Sequence, residues 1–152
     1  MIRTEKRLRI CTALLILNLA FIWGNSLLPG SVSGAISDWV KNLIAMLFPG
    51  DGPVTSGGGL LRKIAHFTEF AALGLLLTWL FGMLQKAKYW PFFGGVAAAC
   101  VDETIQRFVP DRGPSLFDVG IDSCGVLTGI ILLWMGHTYF KKRTINISLE
   151  DM

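Results

Sequence analysis

Long apolar runs, broken by short polar or glycine-rich connections, set the pattern of this chain. Residues 8–28 form the first run, long enough at about 21 residues to cross a bilayer core. Arg3, Lys6, Arg7 and Arg9 lie at its start, as in a signal peptide, but no Ala-x-Ala cleavage site follows, so the reading is a retained helix. Residues 60–84 form a second run whose charged residues are confined to its first turns. The third, 89–108, is apolar at its start and polar at its end, and the fourth covers 116–140. Residues 31–48 differ in kind. Ile36, Trp39, Val40, Leu43, Ile44 and Leu47 recur at helical spacing, with Ser37, Asp38, Lys41 and Asn42 opposite. Such a helix lies in the membrane interface or re-enters it, capping the bundle or covering it as a lid. The connection at 49–59 is glycine-rich. Gly52 and Gly57 have the spacing of a phosphate loop, but Gly58 stands where its lysine belongs, so no nucleotide site follows.

Composition agrees with this pattern. Of the 152 residues, 52% are hydrophobic and 16% charged, against about 25% charged in a typical soluble domain. The expectation is a single all-α membrane domain with four transmembrane helices plus the amphipathic segment in the first outer loop. The net charge of +3 is no nucleic-acid footprint, because the basic residues gather at segment ends. Nine of the fourteen fall on one side (the N-terminal four, Lys86, Lys88, Lys141, Lys142 and Arg143) and five on the other. The positive-inside rule then places both termini in the cytoplasm of a multi-pass cell-membrane protein. Cys11, Cys100 and Cys124 lack metal-site spacing and read as buried small hydrophobes.

The polar residues converge. Between two uncharged runs, residues 102–129 hold Asp102, Glu103, Asp111, Asp118 and Asp122 with Arg107 and Arg112. With alternating helices, the start of the second span, the end of the third and the start of the fourth meet at one outward-facing depth. Arg62, His66 and Glu69 share a helix face, as do Glu103 and Gln106. Asp118, Asp122, Gly125 and Gly129 follow one stripe, and Gly125-x-x-x-Gly129 admits a neighbouring backbone closely. Ser115 reads as an N-cap with Asp118 as its capping-box partner. Ionisable groups at membrane depth are costly and face a bundle interior or wet cavity. Taken singly, these groups could snorkel, cap or pack.

Arg62-Lys63-x-x-His66-x-x-Glu69, Asp102-Glu103-x-x-Gln106, Val109-Pro110-x-Arg112 and Asp118-x-x-x-Asp122-x-x-Gly125-x-x-x-Gly129 together resemble the VanZ-like family of small bacterial membrane proteins. The resemblance covers about residues 60–136, together with the first helix and the serine-containing outer segment. It implies a cell-envelope role of the teicoplanin-resistance type, with no defined chemistry to carry over. Asp111 departs from the family, which often has glycine there.

Three functions fit these residues. In an enzyme acting on a lipid-linked envelope substrate, His66, Glu69 and Glu103 would be the acid–base groups. Arg112, with Arg62 or Lys63, would hold a phosphate or carboxylate. Gln106, Asp118 and Asp122 complete the ligand-binding set, and Asp118 and Asp122 would orient the basic groups or bind a divalent cation such as Mg²⁺ with Glu103. Zinc fits this reading less well, with a single histidine at that depth. A binding protein for a membrane lipid, a cell-wall precursor or a glycopeptide antibiotic would use the same arginines without chemistry. A structural subunit would leave the cluster as interhelical salt bridges. A transporter lacks a polar path through the inner half of the spans.

Overall fold

The structure is a computed structural model that describes residues 2–47 and 59–150. Five helices follow one another: α1 (Ile2–Ser26), α2 (Gly30–Leu47), α3 (Leu60–Met83), α4 (Trp90–Gln106) and α5 (Leu116–Glu150), and no strand occurs among the described residues. The glycine-rich connection carrying Gly52, Gly57 and Gly58 lies outside the described residues.

Three stretches are long and apolar enough to cross a membrane: Thr4–Ser26, Leu60–Met83 and Leu116–Tyr139. Helix α4, expected as a fourth span over 89–108, has 17 residues. At 1.5 Å per residue that is about 25 Å, at the lower limit of what crosses a hydrocarbon core of about 30 Å. The chain leaves the helix early because Phe108 and Val109 donate three residues back, to Ile105 and Gln106, and tighten the end into a turn. Pro91 stands in the first turn of α4, where its missing N–H costs nothing.

Helix α3 packs most extensively against α5, and glycine is the reason. A Cβ on Gly125 would strike the Phe67 carbonyl oxygen, and one on Gly129 the Ala71 carbonyl oxygen. From the other side, Gly74 sits against the Val126 backbone, and Gly95 of α4 receives the Val126 side chain. The expected glycine stripe thus brings α3 and α5 to backbone contact. Around it lies a small core of Ile22, Phe70, Leu73, Leu77, Ala98, Ala99 and Val126. Most other large apolar side chains point outward, among them Leu17 at 67% and Trp134 at 61% exposure, as lipid-facing positions do.

Two cysteines correct the expectation of buried thiols. Cys11 is buried, but Cys100 and Cys124 are exposed on the outer faces of their helices. Helix α3 ends in a Schellman motif: Lys86 N–H donates to Phe81 and Gln85 N–H to Gly82, with Gln85 at a left-handed φ of 52°. Helix α2 buries none of its residues and touches the bundle lightly, along a half-buried stripe from Gly30 to Ile44. At its start, Gly30 N–H donates to the Pro110 carbonyl at 3.0 Å, and a Cβ on Gly30 would collide with the Asp111 backbone.

Candidate functional site

The end of α1, the start of α3, the end of α4 and the start of α5 share one end of the bundle, and each brings polar side chains there. Asp102, Glu103, Gln106 and Asp122 are buried, together with Ser26 from α1. Ser26 Oγ donates to Asp102 Oδ1 at 2.6 Å, and Gln106 Nε2 donates to Asp102 Oδ2 at 2.8 Å. Gln106 lies one helical turn beyond Asp102, so the two side chains stack on the same face.

His66 faces different carboxylates from the one expected. Its Nδ1 is 3.8 Å from Asp102 Oδ2 and 3.8 Å from Asp122 Oδ1, too far for a hydrogen bond to either. Glu103, expected with His66 and Glu69 as an acid–base group, is engaged elsewhere through one oxygen: its Oε2 accepts the Ser115 N–H at 2.7 Å, while its Oε1 is buried without a partner. This also revises the capping box at the start of α5. Ser115 Oγ accepts the Asp118 N–H at 3.4 Å, but the Ser115 N–H is satisfied by Glu103 of the neighbouring helix. Aspartate is one methylene shorter than the glutamate of a capping box, and the longer Glu103 reaches the position from α4.

Glu69 Oε1 accepts from Asn25 Nδ2 at 3.0 Å, while its Oε2 is buried without a partner. Arg112 Nη2 donates to the Asn25 carbonyl at 3.2 Å. The rest of the guanidinium, Nε and Nη1, is buried and unpaired. Burial lowers the Arg112 pKa from its ordinary value, and Arg62 nearby acts in the same direction. Both effects favour an anion beside it. The turn around Arg112 is held by Arg112 N–H donating to Val109 and by the Gly30–Pro110 bond. Asp111 there has a φ of 60°, in the left-handed region. A glycine would adopt that conformation without strain.

Two neighbouring cavities result. The larger, about 220 Å³, lies between α2 and α3 and is lined by Arg62, His66, Glu69, Arg112 and Asn25, with Leu28, Ile36, Val40, Leu61 and Ala65 as apolar walls. The smaller, about 10 Å³, is lined by Arg62, Lys63, His66, Glu103, Gln106, Asp118 and Asp122. His66 and Arg62 belong to both. All nine candidate residues therefore line one cavity or the other, although Lys63 also lies over the Phe117 ring at 4.7 Å. Asn25 and Ser26, absent from the expected set, complete the cluster from α1. Their signal was a polar pair closing an otherwise apolar run, at the depth where the other helices turn polar.

A model of the VanZ/LLP1 family matches residues 10–137, most of the chain. The chain belongs to that family. The match begins inside α1 and ends inside α5, so it includes every element that contributes a side chain to the VanZ/LLP1 polar cluster. No curated protein and no solved structure matches the chain.

Proposed function

We propose that this VanZ-like protein crosses the membrane four times with both termini cytoplasmic, and that its polar cavity faces outward. There it binds the anionic headgroup of a lipid-linked cell-envelope component. The observation that carries this reading is the buried guanidinium edge of Arg112, a residue lining the larger cavity, whose Nε and Nη1 have no partner. A buried donor left unpaired costs about 1–3 kcal/mol, and more when charged. A phosphate or carboxylate taking two parallel hydrogen bonds would remove that cost. The apolar wall from α2 and α3 suits the attached chain, and α2, which buries none of its own residues, forms the side through which a lipid would enter. The VanZ resemblance extends the proposal to teicoplanin susceptibility as the cellular readout, with a glycopeptide as a further ligand of the same groups.

The test is lipid retained by the full-length protein in mild detergent, with Arg112→Lys beside it. Wild type is expected to enrich net-anionic phospholipid over zwitterionic phospholipid. Lysine keeps the charge but loses the planar fork, so enrichment should fall about tenfold or more. Equal retention by both proteins would refute the clamp and leave the cluster as interhelical support. Chemistry on the bound group is the second reading, favoured by the free Glu69 Oε2 on the same wall. Glu69→Gln should spare binding and abolish turnover if Glu69 is a general base.

A further inference from the structure

Asp122 is the least satisfied carboxylate among the described residues. Its side chain is 1% exposed, and neither carboxylate oxygen has a hydrogen-bond partner. Across from it lies Asp102, also fully buried, with His66 Nδ1 3.8 Å from an oxygen of each. One ligand atom from each of the three residues lies within 4.8 Å of the other two. Two buried carboxylates this close repel strongly, and a lone imidazole at that distance hydrogen-bonds to neither.

We infer that His66 Nδ1, Asp102 and Asp122 form a binding site for a divalent transition-metal cation of the zinc type. The inference deepens the anionic-lipid reading of this cavity and, for its role in function, rests on that reading.

Three features support it. A point central to the three atoms lies roughly 2.5 Å from each, a few tenths of an ångström beyond zinc–nitrogen and zinc–oxygen bonds of about 2.0–2.2 Å, so small side-chain rotations complete the set. A dication also neutralises two carboxylates that share a buried position. The donor set, one imidazole and two carboxylates, discriminates among metals: Mg²⁺ and Ca²⁺ take oxygen ligands, whereas imidazole suits zinc and its first-row neighbours. The set differs from the one expected from sequence, because Glu103 is committed to Ser115 N–H and leaves its place to Asp102.

The site has the supporting contacts that metal sites use. Ser26 and Gln106 each donate to Asp102, fixing its carboxylate plane while leaving lone pairs for a cation. Three protein ligands leave a coordination position open, and the small cavity lined by His66 and Asp122 lies beside it. Its volume of about 10 Å³ is room for about one oxygen atom of a water or ligand. His66 and Arg62 line both cavities, so a headgroup held by Arg112 lies next to the metal position.

The full-length protein, purified in detergent and stripped with chelator, is dialysed separately against Zn²⁺, Mn²⁺ and Mg²⁺. Metal content and thermal unfolding are then measured for wild type, Asp122→Asn and His66→Gln. Wild type should retain about one Zn²⁺ or Mn²⁺ per chain, and at a hundredfold excess over Kd its melting temperature should rise by about 5–10 °C. Asp122→Asn removes a buried charge at nearly constant shape, so it should fold yet lose metal affinity at least tenfold. His66→Gln serves as the second variant if the first does not fold. Absence of bound transition metal in wild type overturns the inference, as does Mg²⁺ binding alone, or full retention by either variant. Lipid retention is measured on the same samples. Lipid enrichment without metal overturns the metal site only; metal binding without lipid enrichment overturns the lipid reading only.

Discussion

The glycines at the α3–α5 contact give a prediction whose sign depends on position alone. A methyl group on Gly125 would meet the Phe67 carbonyl oxygen directly and would lie 3.2 Å from Ala71 N. On Gly129 it would meet the Ala71 carbonyl oxygen and lie 2.7 Å from Leu75 N. These obstacles are helix backbone, so no side-chain rotation relieves them, and one helix must retreat by about 1 Å. Such a gap forfeits a quarter to a half of each dispersion contact along the seam. Overpacking of this kind costs about 1–3 kcal/mol, more than the roughly 1 kcal/mol gained in helix propensity when alanine replaces glycine. Gly125→Ala and Gly129→Ala should therefore lower the melting temperature by several degrees each. At Gly120, in the same helix, nothing lies within 4 Å of the added atom, so Gly120→Ala should keep the propensity gain and raise stability slightly. The site should respond to Gly125 more than to Gly129. The turn that must yield contains Phe67, next to His66, and its retreat would carry His66 away from Asp122, from 3.8 Å toward roughly 5 Å. Gly129 lies one turn farther from the cluster, so its effect falls mainly on stability. Thermal unfolding in detergent, followed by the fluorescence of the five tryptophans, measures all three variants. Equal shifts for Gly125→Ala and Gly120→Ala would show that helix propensity, and not backbone contact, governs this interface.

Three shorter predictions accompany it. Ser26→Ala removes the hydroxyl that donates to Asp102 Oδ1 at 2.6 Å and should destabilise the protein by about 1.5–3 kcal/mol, read as a lower unfolding midpoint; no change would mean that Asp102 is satisfied in another way. Asp111→Gly should raise stability by about 1 kcal/mol, since Asp111 holds a φ of 60°, and should leave lipid retention unchanged; loss of retention would assign the aspartate charge a part in binding. Reporter fusions at the C-terminus should be active only in the cytoplasm, and an external C-terminus would invert the proposed orientation.

The apolar runs determined the helices. A stretch of about twenty uncharged residues has few alternatives in lipid, where backbone groups must be satisfied within the segment. The amphipathic spacing of 31–48 likewise foretold α2, and the four-residue step from Gly125 to Gly129 foretold a close helix contact, because each rests on periodicity within one segment. Alternation of helix direction was enough to gather Arg62, His66, Glu69, Glu103, Asp118 and Asp122 at one end of the bundle. Pairing was another matter. Which carboxylate meets His66 depends on the rotation of α3, α4 and α5 about their axes, and that is set by Gly74, Gly95 and Gly125 against backbone and Val126. Adjacent residues on a helix point about 100° apart, so the rotation of α4 about its axis decides whether Asp102 or Glu103 faces inward. Only the packed bundle therefore turned Asp102 inward beside Asp122 and sent Glu103 to the Ser115 N–H. It also brought Asn25 and Ser26 into the cluster, since Asn25 meets Glu69 across 44 positions and Ser26 meets Asp102 across 76, and no local pattern records such contacts.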